Sequence, residues 1–306
     1  MKGKILSELR VRNETVSGEY LSSTLGISRV SIWKHIHKLQ ELGYNIVSTP
    51  NGYQLIDSPD ILYPWELPDR EDRIHYFPEL TSTMDTARDL ARKNCPEFSV
   101  VVAGRQTAGR GRLNRQWLSD DGGLYFTIVL RPDIAVPISS RVNFLASLTM
   151  ARVLRDKYKI DAAVKWPNDI LVDDQKLSGM LSELEAEADR VFFINVGMGI
   201  NVNNNPSGIE PAAISLKTLL GREVSRIKLL TAFLDEFEKR LINTDFESVV
   251  SEWKQYTITL QRRVKIVTRR ETCEGLALDV DDNGALIVKR DDGTLKQVIY
   301  GDCFHQ

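Results

Sequence analysis

The spacing of apolar residues changes twice along this chain, and each change constrains the fold of the segment that follows. Apolar residues recur at helical spacing through much of residues 1–57, strand-like and helix-like runs mix from about 75 to 260, and alternation with a period of two begins at 261. A chain of 306 residues is also too long for one small core. We therefore predict three folded domains, at 1–60, 75–260 and 261–306, with a linker at 61–74.

The first segment has the pattern of a helix-turn-helix. The apolar residues of the stretch SGEYLSSTLGIS have helical spacing, which predicts a helix that ends at Gly26. Ser28 can then cap a second helix. Beyond that helix, Asn51 and Gly52 separate two short runs of strand-forming residues, which is a strong hairpin signal. Two helices joined by a tight turn and followed by a hairpin predict a winged helix. The apolar stripe of the second helix consists of Ile32, Ile36 and Leu39.

The opposite face of that second helix carries side chains suited to nucleic acid. Polar and basic groups there fit contacts to phosphates and base edges, so we predict DNA as a partner. The alternative is that the small domain only packs or mediates protein contacts. The predicted DNA-contacting residues are Arg29, Ser31, Trp33, Lys34 and Lys38.

The central and C-terminal segments predict different sheets. Strands and helices do not alternate strictly between 75 and 260, which favours an α+β sheet with helices on one face over a doubly wound fold. From 261 the strand-like runs are separated by the turns Asn283-Gly284 and Asp292-Gly293, which predicts a small antiparallel β-barrel.

Composition narrows the class of protein. The 40 Lys and Arg residues nearly balance the 42 Asp and Glu residues, so any anion site has to be local. Three widely separated cysteines without a C-x-x-C pair argue against a structural zinc site and fit a reducing compartment. The N-terminus lacks a signal-peptide pattern and no apolar run is long enough to span a bilayer. We therefore expect a cytoplasmic protein that does not bind membranes.

A basic, glycine-rich stretch, GRQTAGRGRLNRQW at 104–117, is the strongest local signal. It matches neither the Walker A loop nor the Rossmann G-x-G-x-x-G turn. Its glycines let the backbone approach a ligand closely, its arginines suit phosphate or carboxylate, and Trp117 offers a flat face on which a base could stack. By itself the loop predicts binding of an anion, and a solvated basic loop is the alternative.

Two further stretches supply polar groups. In VKWPNDILVDDQKLSGMLSE, at 164–183, two lysines flank an Asn-Asp pair, which suits a carboxylate beside a phosphate and offers an acid to Mg²⁺. These residues are Lys165, Asn168, Asp169 and Lys176. Ser82 and Thr83 precede a helical run, where capping of the helix is the default role of a hydroxyl and contact with a small ligand would be an addition.

Together these stretches resemble the biotin protein ligase family, and the winged helix in front resembles its members that also repress the biotin operon. The resemblance covers essentially the whole chain. It is carried by GRGRxxRxW at Gly109 to Trp117 and by KWPNDI…KLSG at Lys165 to Gly179, behind the Ser-Thr pair. It implies a winged helix, a central mixed-sheet catalytic domain with helices of the class II synthetase type, and a C-terminal SH3-like barrel.

The resemblance also implies an activity and partners. Biotin and ATP would form biotinyl-5′-adenylate, and biotin would then pass to one lysine of a biotin carboxyl carrier protein. Mg²⁺ would accompany ATP, operator DNA would bind the winged helix, and the adenylate-bound protein would form a homodimer. The metal ligands are unknown at this point.

Family positions map onto this chain residue by residue. The implied biotin site consists of Ser82, Thr83, Met84, Gln106, Arg110, Gly111, Arg112 and Lys176. The implied ATP and adenylate site consists of Arg110, Arg112, Trp117, Asn168, Asp169, Lys176, Asn201 and Ser215, the last at the end of a second mobile segment, 203–215. Lys176 and Arg112 would be the catalytic charges.

Two positions depart from the family pattern. Asn114 stands where the family often has Gly, and we expect the turn to survive because Asn tolerates the left-handed conformation. Met84 stands at the position of the Asn in the common Ser-Thr-Asn triplet, and its apolar side chain removes one polar contact.

Two other functions stay open. A lipoate ligase shares the fold and the adenylation chemistry, although its usual RRxxGG stretch is absent. A regulator that binds biotin or its adenylate and has lost ligation is the alternative of a different class, against which the intact Lys176 and Arg112 argue.

Overall fold

The computed structural model describes residues 1–12, 14–136, 139–188, 190–208, 212–243 and 246–306, with the side chain of Asn114 outside that description. The chain divides into two compact units, Met1–Asp72 and Arg73–Gln306. No helix in the described ranges is both long enough and apolar enough to cross a membrane.

The first unit is a winged helix. Helices α1 (Lys2–Arg12), α2 (Gly18–Leu25) and α3 (Arg29–Glu41) precede the antiparallel strands β1 (Asn45–Thr49) and β2 (Gly52–Asp57). Ser28 caps α3 as predicted, because its Oγ accepts the Ser31 backbone N–H at 3.2 Å. The predicted stripe Ile32, Ile36 and Leu39 is buried.

The hairpin turn of this unit has a steric requirement for glycine at position 52. Gly52 has a φ of +142°, and a Cβ added there would lie 2.1 Å from the Val16 carbonyl oxygen. Val16 exchanges two backbone hydrogen bonds with Tyr53, at 2.8 and 2.9 Å, so the segment before α2 is bound to the wing.

The stretch 61–74, suggested as a linker by its composition, contributes to the core of the first unit up to residue 72. Leu62 and Leu67 are buried, and Trp65 packs against the helical core. Glu66 accepts hydrogen bonds from Arg10, at 2.9 Å, and from the Tyr44 hydroxyl. These contacts depend on residues some twenty to sixty positions away, which composition does not reveal.

The second unit contains a mixed sheet of seven described strands in the order β3-β4-β5-β9-β8-β7-β6, in which β3 and β4 are parallel and the other pairs antiparallel. The strands are β3 (Ile74–Leu80), β4 (Ser99–Gln106), β5 (Leu124–Leu130), β6 (Ala163–Lys165), β7 (Asp169–Val172), β8 (Gln175–Glu187) and β9 (Arg190–Ile200). The helices are α4 (Thr83–Arg92), α5 (Ser140–Tyr158), α6 (Leu216–Leu220), α7 (Arg226–Asn243) and α8 (Phe246–Lys254).

Helices lie on both faces of this sheet, which corrects the expectation of one covered face. Phe126 of β5 packs on Phe233 of α7, with ring centroids 5.6 Å apart. Val129, three residues along the same strand and therefore on the opposite face, packs with Ala87 and Ala91 of α4. Where α4 covers the second face, the strands are apolar on both faces. The part of that face that α4 does not cover is open to a ligand.

The C-terminal part of the second unit is an antiparallel sheet, as the period of two predicts. Its described strands are β10 (Arg263–Val267), β11 (Thr272–Val280), β12 (Leu286–Lys289), β13 (Leu295–Val298) and β14 (Asp302–His305). They pair in the order β13-β12-β11-β10-β14. The predicted Asn-Gly and Asp-Gly turns lie between β11 and β12 and between β12 and β13.

Candidate active site

One cavity of about 480 Å³ opens beside the uncovered part of the central sheet. Side chains from the start of α4, the arginine loop, β7, β8, β9 and β14 line it together. The predicted residues that it brings together are Ser82, Thr83, Met84, Gln106, Arg110, Gly111, Arg112, Trp117, Asn168, Asp169, Lys176 and Asn201. Lys165 lines it as well.

Among the residues predicted for the biotin and ATP sites, Ser215 alone does not line this cavity. It is 1% exposed, and its Oγ caps α6 by accepting the Thr218 backbone N–H at 3.3 Å. The predicted mobile segment 203–215 is described except at 209–211, which lie outside the described residues. Its Ala212–Ile214 part runs beside Lys176, which donates its N–H to the Ala212 carbonyl at 2.7 Å.

The start of α4 forms a polar end of the cavity. Ser82 occupies the cap position of α4, but its side chain makes no capping hydrogen bond, so the default role expected for it does not hold. Gln106 takes that role instead, because its Oε1 accepts the Thr83 N–H at 2.7 Å and the Thr83 hydroxyl at 3.1 Å. The Ser82 hydroxyl therefore lines this end of the cavity and makes no capping hydrogen bond.

Thr127 and Ser119 complete a directed chain of hydrogen bonds that the sequence did not reveal. The Thr127 hydroxyl donates to Thr83 Oγ1 at 2.9 Å, and Gln106 Nε2 donates to Ser119 Oγ at 2.9 Å. Each side chain is thereby fixed in orientation. The signal that could have found Thr127 is its polarity within the otherwise apolar run LYFTIVL.

Met84 supplies an apolar wall rather than a polar contact. Its side chain is 3% exposed, and a Cβ added at Gly197 would lie 2.7 Å from Met84 Cε. At this position, where the chain departs from the family pattern, the Met84 side chain thus packs against the floor of the cavity at Gly197.

Glycines of β8 and β9 form that floor, and the Trp117 indole lies on it. A Cβ at Gly199 would lie 2.3 Å from Trp117 Nε1, and a Cβ at Gly179 would lie 3.0 Å from Trp117 Cζ3. Only a residue without a side chain leaves room for the ring at these positions. Trp117 Nε1 is buried and has no hydrogen-bond partner among the described residues.

Lys176 and Asp169 form an ion pair at the centre of the cavity. Lys176 Nζ lies 2.8 Å from Asp169 Oδ1 and 5.3 Å from the centroid of the Trp117 ring. The lysine side chain is 37% exposed and the aspartate side chain 20%. Antiparallel pairing of β7 with β8 brings these two residues together across the hairpin turn.

Arg112 extends into the same region and is held by neutral groups. Its Nη1 lies 3.3 Å from Asn168 Oδ1 and 3.4 Å from the Gly301 carbonyl oxygen. Burial lowers the pKa of this guanidinium, and the charges of Asp302 and Asp169 oppose that shift. Neutral partners leave its positive charge available to an anion.

Arg110 has different partners from Arg112. Its Nη1 lies 2.7 Å from Asp85 Oδ1, and its Nη2 pairs with Glu183. Arg88 contacts the same two acids, at 2.6 and 3.2 Å.

The arginine loop itself is a closed turn. Trp117 N–H donates to the Gly109 carbonyl at 2.9 Å, and Gly111 N–H donates to the Arg115 carbonyl at 2.7 Å. The left-handed residue within it is Leu113, with a φ of 53°, next to the position where we expected Asn114 to allow such a conformation. Arg115 pairs with Asp302 of β14 at 2.6 Å.

The predicted DNA face of the first unit is exposed. Trp33 is 55% exposed, and it lines a shallow groove with Arg29 and Val30 of α3 and with the wing tip, Thr49 to Tyr53. Lys34 is exposed as well, Ser31 is half-buried, and Lys38 pairs with Glu41 at 2.8 Å. The face therefore combines cationic, hydroxyl and aromatic groups next to a hairpin.

Three family models match successive parts of the chain. The HTH domain matches residues 2–54, the biotin/lipoate A/B protein ligase family matches 76–201, and the biotin protein ligase C-terminal domain matches 259–306. The predicted fold class, with a winged helix, a central mixed sheet and a C-terminal SH3-like domain, is thereby confirmed.

Relatives and solved structures match over most of the chain. The bifunctional ligase/repressor BirA of Bacillus subtilis is 34% identical over 299 residues, which are 93% of this chain and 92% of that protein. BirA of Escherichia coli is 29% identical over 97% of this chain and 95% of its own length. The biotin protein ligase of Aquifex aeolicus in complex with biotin and ATP covers 76% of this chain and 98% of its own, with 27% identity and a TM-score of 0.65. This chain belongs to the family of bifunctional biotin protein ligases and repressors.

Proposed function

We propose that this protein forms biotinyl-5′-adenylate from biotin and ATP, transfers biotin to a lysine of a biotin carboxyl carrier protein, and represses transcription through its winged helix. The observation that carries the proposal is the cavity beside the central sheet. It joins a polar end at Ser82, Thr83 and Gln106 to a cationic centre at Lys176 and Arg112. A molecule with a polar ring at one end and a carboxylate at the other fits that arrangement.

The polar end suits the ureido ring of biotin. A ureido group has two N–H donors and one carbonyl acceptor, and Ser82, Thr83 and Gln106 offer hydroxyls and an amide at that end of the cavity. Met84 and the glycine floor offer apolar contact to the remainder of the ring system. From this end the extended chain of biotin is proposed to run toward Lys176.

The cationic centre suits the first chemical step. A biotin carboxylate oxygen attacks the α-phosphorus of ATP, the bond to the β-phosphate oxygen breaks, and pyrophosphate leaves. Both reactants are anions, so the protein has to bring them together and stabilise the charge that gathers on the α-phosphate. Lys176, oriented by Asp169 at 2.8 Å, and Arg112, with only neutral partners among its hydrogen bonds, are the groups proposed for this task.

The nucleotide is proposed to lie on the other side of this centre. Trp117 offers an indole face for adenine, and Asn168 and Asn201 offer amides near Lys176. Ser215, which caps α6, would act through the segment before it rather than by direct contact.

Mg²⁺ is proposed to enter with the phosphates of ATP. The described residues contain no group of three or more His, Cys, Asp or Glu side chains that could hold a metal ion. Mg²⁺ in nucleotide sites commonly uses one or two carboxylates together with phosphate oxygens, and we propose Asp169 for this role because it lines the cavity and lies 2.8 Å from Lys176 Nζ. Bound there, the ion would neutralise phosphate charge.

The proposed acceptor reaction and the repressor function add macromolecular partners. The amine of the carrier lysine attacks the acyl carbon of the adenylate and AMP leaves. Operator DNA is proposed to bind Arg29, Ser31, Trp33, Lys34 and Lys38, and a homodimer to form when the adenylate is bound, since helix-turn-helix proteins usually read paired half-sites.

Biotin-dependent exchange of labelled pyrophosphate into ATP tests the ligase proposal. We expect exchange with biotin and none with lipoate under the same conditions. Exchange with lipoate instead would favour a lipoate ligase, and exchange with neither would favour a regulator without ligation. A gel-shift on operator DNA with and without biotinyl-adenylate tests repression, and equal binding in both lanes would contradict control by the adenylate.

A further inference from the structure

The two inner arginines of the arginine loop face different surroundings. Arg112 contacts an amide oxygen and a backbone carbonyl, whereas Arg110 contacts two carboxylates, with 2.7 Å between its Nη1 and Asp85 Oδ1 and an ion pair to Glu183. Arg88 of α4 contacts the same two acids, at 2.6 Å to Asp85 and 3.2 Å to Glu183. Two arginines and two acids therefore form a closed ring of four alternating charges.

The charges within this ring cancel. Two guanidinium groups face two carboxylates, so Arg110 offers no uncompensated charge to a ligand phosphate, in contrast to Arg112. If Arg110 moved to a phosphate, it would leave two carboxylates facing Arg88 alone. The ring is therefore better suited to holding the loop in place than to binding the anion.

The positions of the four residues define what the ring holds. Asp85 lies in the first turn of α4, two residues after Thr83, and Glu183 lies on β8. Arg110 lies between Gly109 and Gly111, in the part of the loop that lines the cavity. The ring thus connects the glycine pair of the loop to the helix start and to the sheet that form the proposed biotin end of the cavity.

We propose that Asp85 and Glu183 are positioning residues, which hold Arg110 and with it the Gly109–Gly111 backbone over the biotin end of the cavity, and thereby set how long the adenylate is retained. This inference rests on the proposed ligase function. The four side chains are 24% to 39% exposed, so each pair is screened by water and salt. Loss of both contacts to Arg110 should therefore raise the rate of adenylate release by about 3- to 10-fold.

The test uses the double variant Asp85→Asn/Glu183→Gln, which removes both negative charges and keeps the size of the side chains. Glu185→Gln is the matched control, because Glu185 lies two residues further along β8 and pairs with Arg92 of α4 at 2.8 Å, with no contact to the loop among its described interactions. Each full-length protein is loaded with labelled biotin, ATP and Mg²⁺, freed of excess substrate, and followed for release of labelled adenylate after addition of unlabelled biotin and ATP. The single-turnover rate of adenylate formation is measured separately.

Faster release from the double variant than from the wild type and from Glu185→Gln, with an unchanged rate of formation, would support the proposal. Unchanged release would overturn it. Slower release would also overturn it, because the acids would then be competing with the adenylate for Arg110. An equal increase in the control would indicate a general link between α4 and β8 rather than a hold on the loop.

Limited trypsin digestion of the ligand-free proteins gives a second readout that does not need adenylate. The loop offers cleavage sites after Arg110, Arg112 and Arg115. We expect faster cleavage there in the double variant and wild-type cleavage in the control, and equal rates in all three proteins would overturn the proposed hold. Absence of adenylate from the wild type would contradict the ligase function alone, since the digestion would still report on the loop.

Discussion

Replacement of Lys176 by methionine tests the proposed reaction centre, because it removes the ammonium group and keeps most of the aliphatic side chain. Lys176 Nζ is 2.8 Å from Asp169 Oδ1 and lines the cavity at the proposed reaction centre, where the α-phosphate is proposed to lie. Removal of one preorganised group of this kind from a reaction centre typically lowers the rate by about 10²- to 10³-fold, or roughly 3 to 4 kcal/mol. We expect a loss of that size in kcat/KM for biotin-dependent pyrophosphate exchange.

The same substitution also leaves the Asp169 carboxylate facing the phosphates without its counterion. Part of the loss should therefore come from repulsion rather than from the missing ammonium. The double variant Lys176→Met/Asp169→Asn removes that repulsion but also removes the acid proposed for Mg²⁺. At Mg²⁺ concentrations that saturate ATP, we therefore expect it to recover about 3- to 10-fold of the lost exchange, as coupled neighbours do in double-mutant cycles. The two substitutions should thus be clearly non-additive.

Lys217→Met is the matched control. Lys217 is an exposed lysine of the same unit that pairs with Glu223 at 3.0 Å and does not line the cavity. Its replacement should leave exchange within about 2-fold of the wild type, since exposed ion pairs contribute little. Exchange by a folded Lys176→Met protein at the wild-type rate, with folding checked by circular dichroism and thermal unfolding, would refute the assigned role.

Four further predictions concern other parts of the molecule. Gly199→Ala should raise the KM for ATP by at least about 10-fold, because the new Cβ would lie 2.3 Å from Trp117 Nε1 and displace the indole. Asn195→Leu should raise the free energy of unfolding by about 1 to 3 kcal/mol in urea titrations, because the fully buried side-chain amide of Asn195 has no hydrogen-bond partner in the described part of the chain. Burial lowers the pKa of His305 to about 4, whereas the same side chain in the unfolded chain has a pKa near 6.5. As the pH falls from about 6.5 to 4, the unfolded state therefore takes up the proton first, and the free energy of unfolding in urea should decrease. This decrease should be smaller in His305→Gln. Trp33→Ala should weaken binding to operator DNA by about 10-fold or more in gel-shifts and leave pyrophosphate exchange unchanged.

Each of these predictions has an outcome that contradicts it. Gly179→Ala is a milder comparison for Gly199, since its Cβ would lie 3.0 Å from the same ring, and an equal or larger effect there would count against displacement of the indole as the cause. A destabilised Asn195→Leu protein would mean that the amide is satisfied in solution. Parallel pH profiles for wild type and His305→Gln would reject the histidine as the group that titrates, and a Trp33→Ala protein with normal operator affinity would remove this side chain from the DNA face.

The sequence predicted those features that depend on neighbours in the chain. Gly26 and Ser28 mark the ends of two helices through local backbone chemistry, and the spacing of Ile32 and Ile36 identifies the buried face of α3. Most of the residues that the family motifs indicated for the biotin and ATP sites likewise line the cavity. These signals are contained within windows of a few residues, which is why sequence alone reveals them.

The features that the sequence did not predict depend on long-range register. Gln106 replaces Ser82 as the cap of α4 because β4 ends beside the start of that helix, 23 residues away in sequence. Arg110 meets Glu183 across 73 residues, through the pairing of β8 in the sheet. The packing of Trp65 against the core of the first unit and the position of α4 on the second face of the sheet have the same origin in tertiary packing. No local pattern encodes such pairings.

Transfer of biotin to a carrier protein is the most direct test of the proposed function. The full-length protein is incubated with labelled biotin, ATP, Mg²⁺ and a biotin carboxyl carrier domain, beside a carrier variant in which the acceptor lysine is arginine. We predict label on the wild-type carrier at that single lysine, dependent on ATP and absent from the arginine variant. A carrier that remains unlabelled, while the same preparation binds biotin, would contradict ligation and leave a biotin-binding regulator as the function.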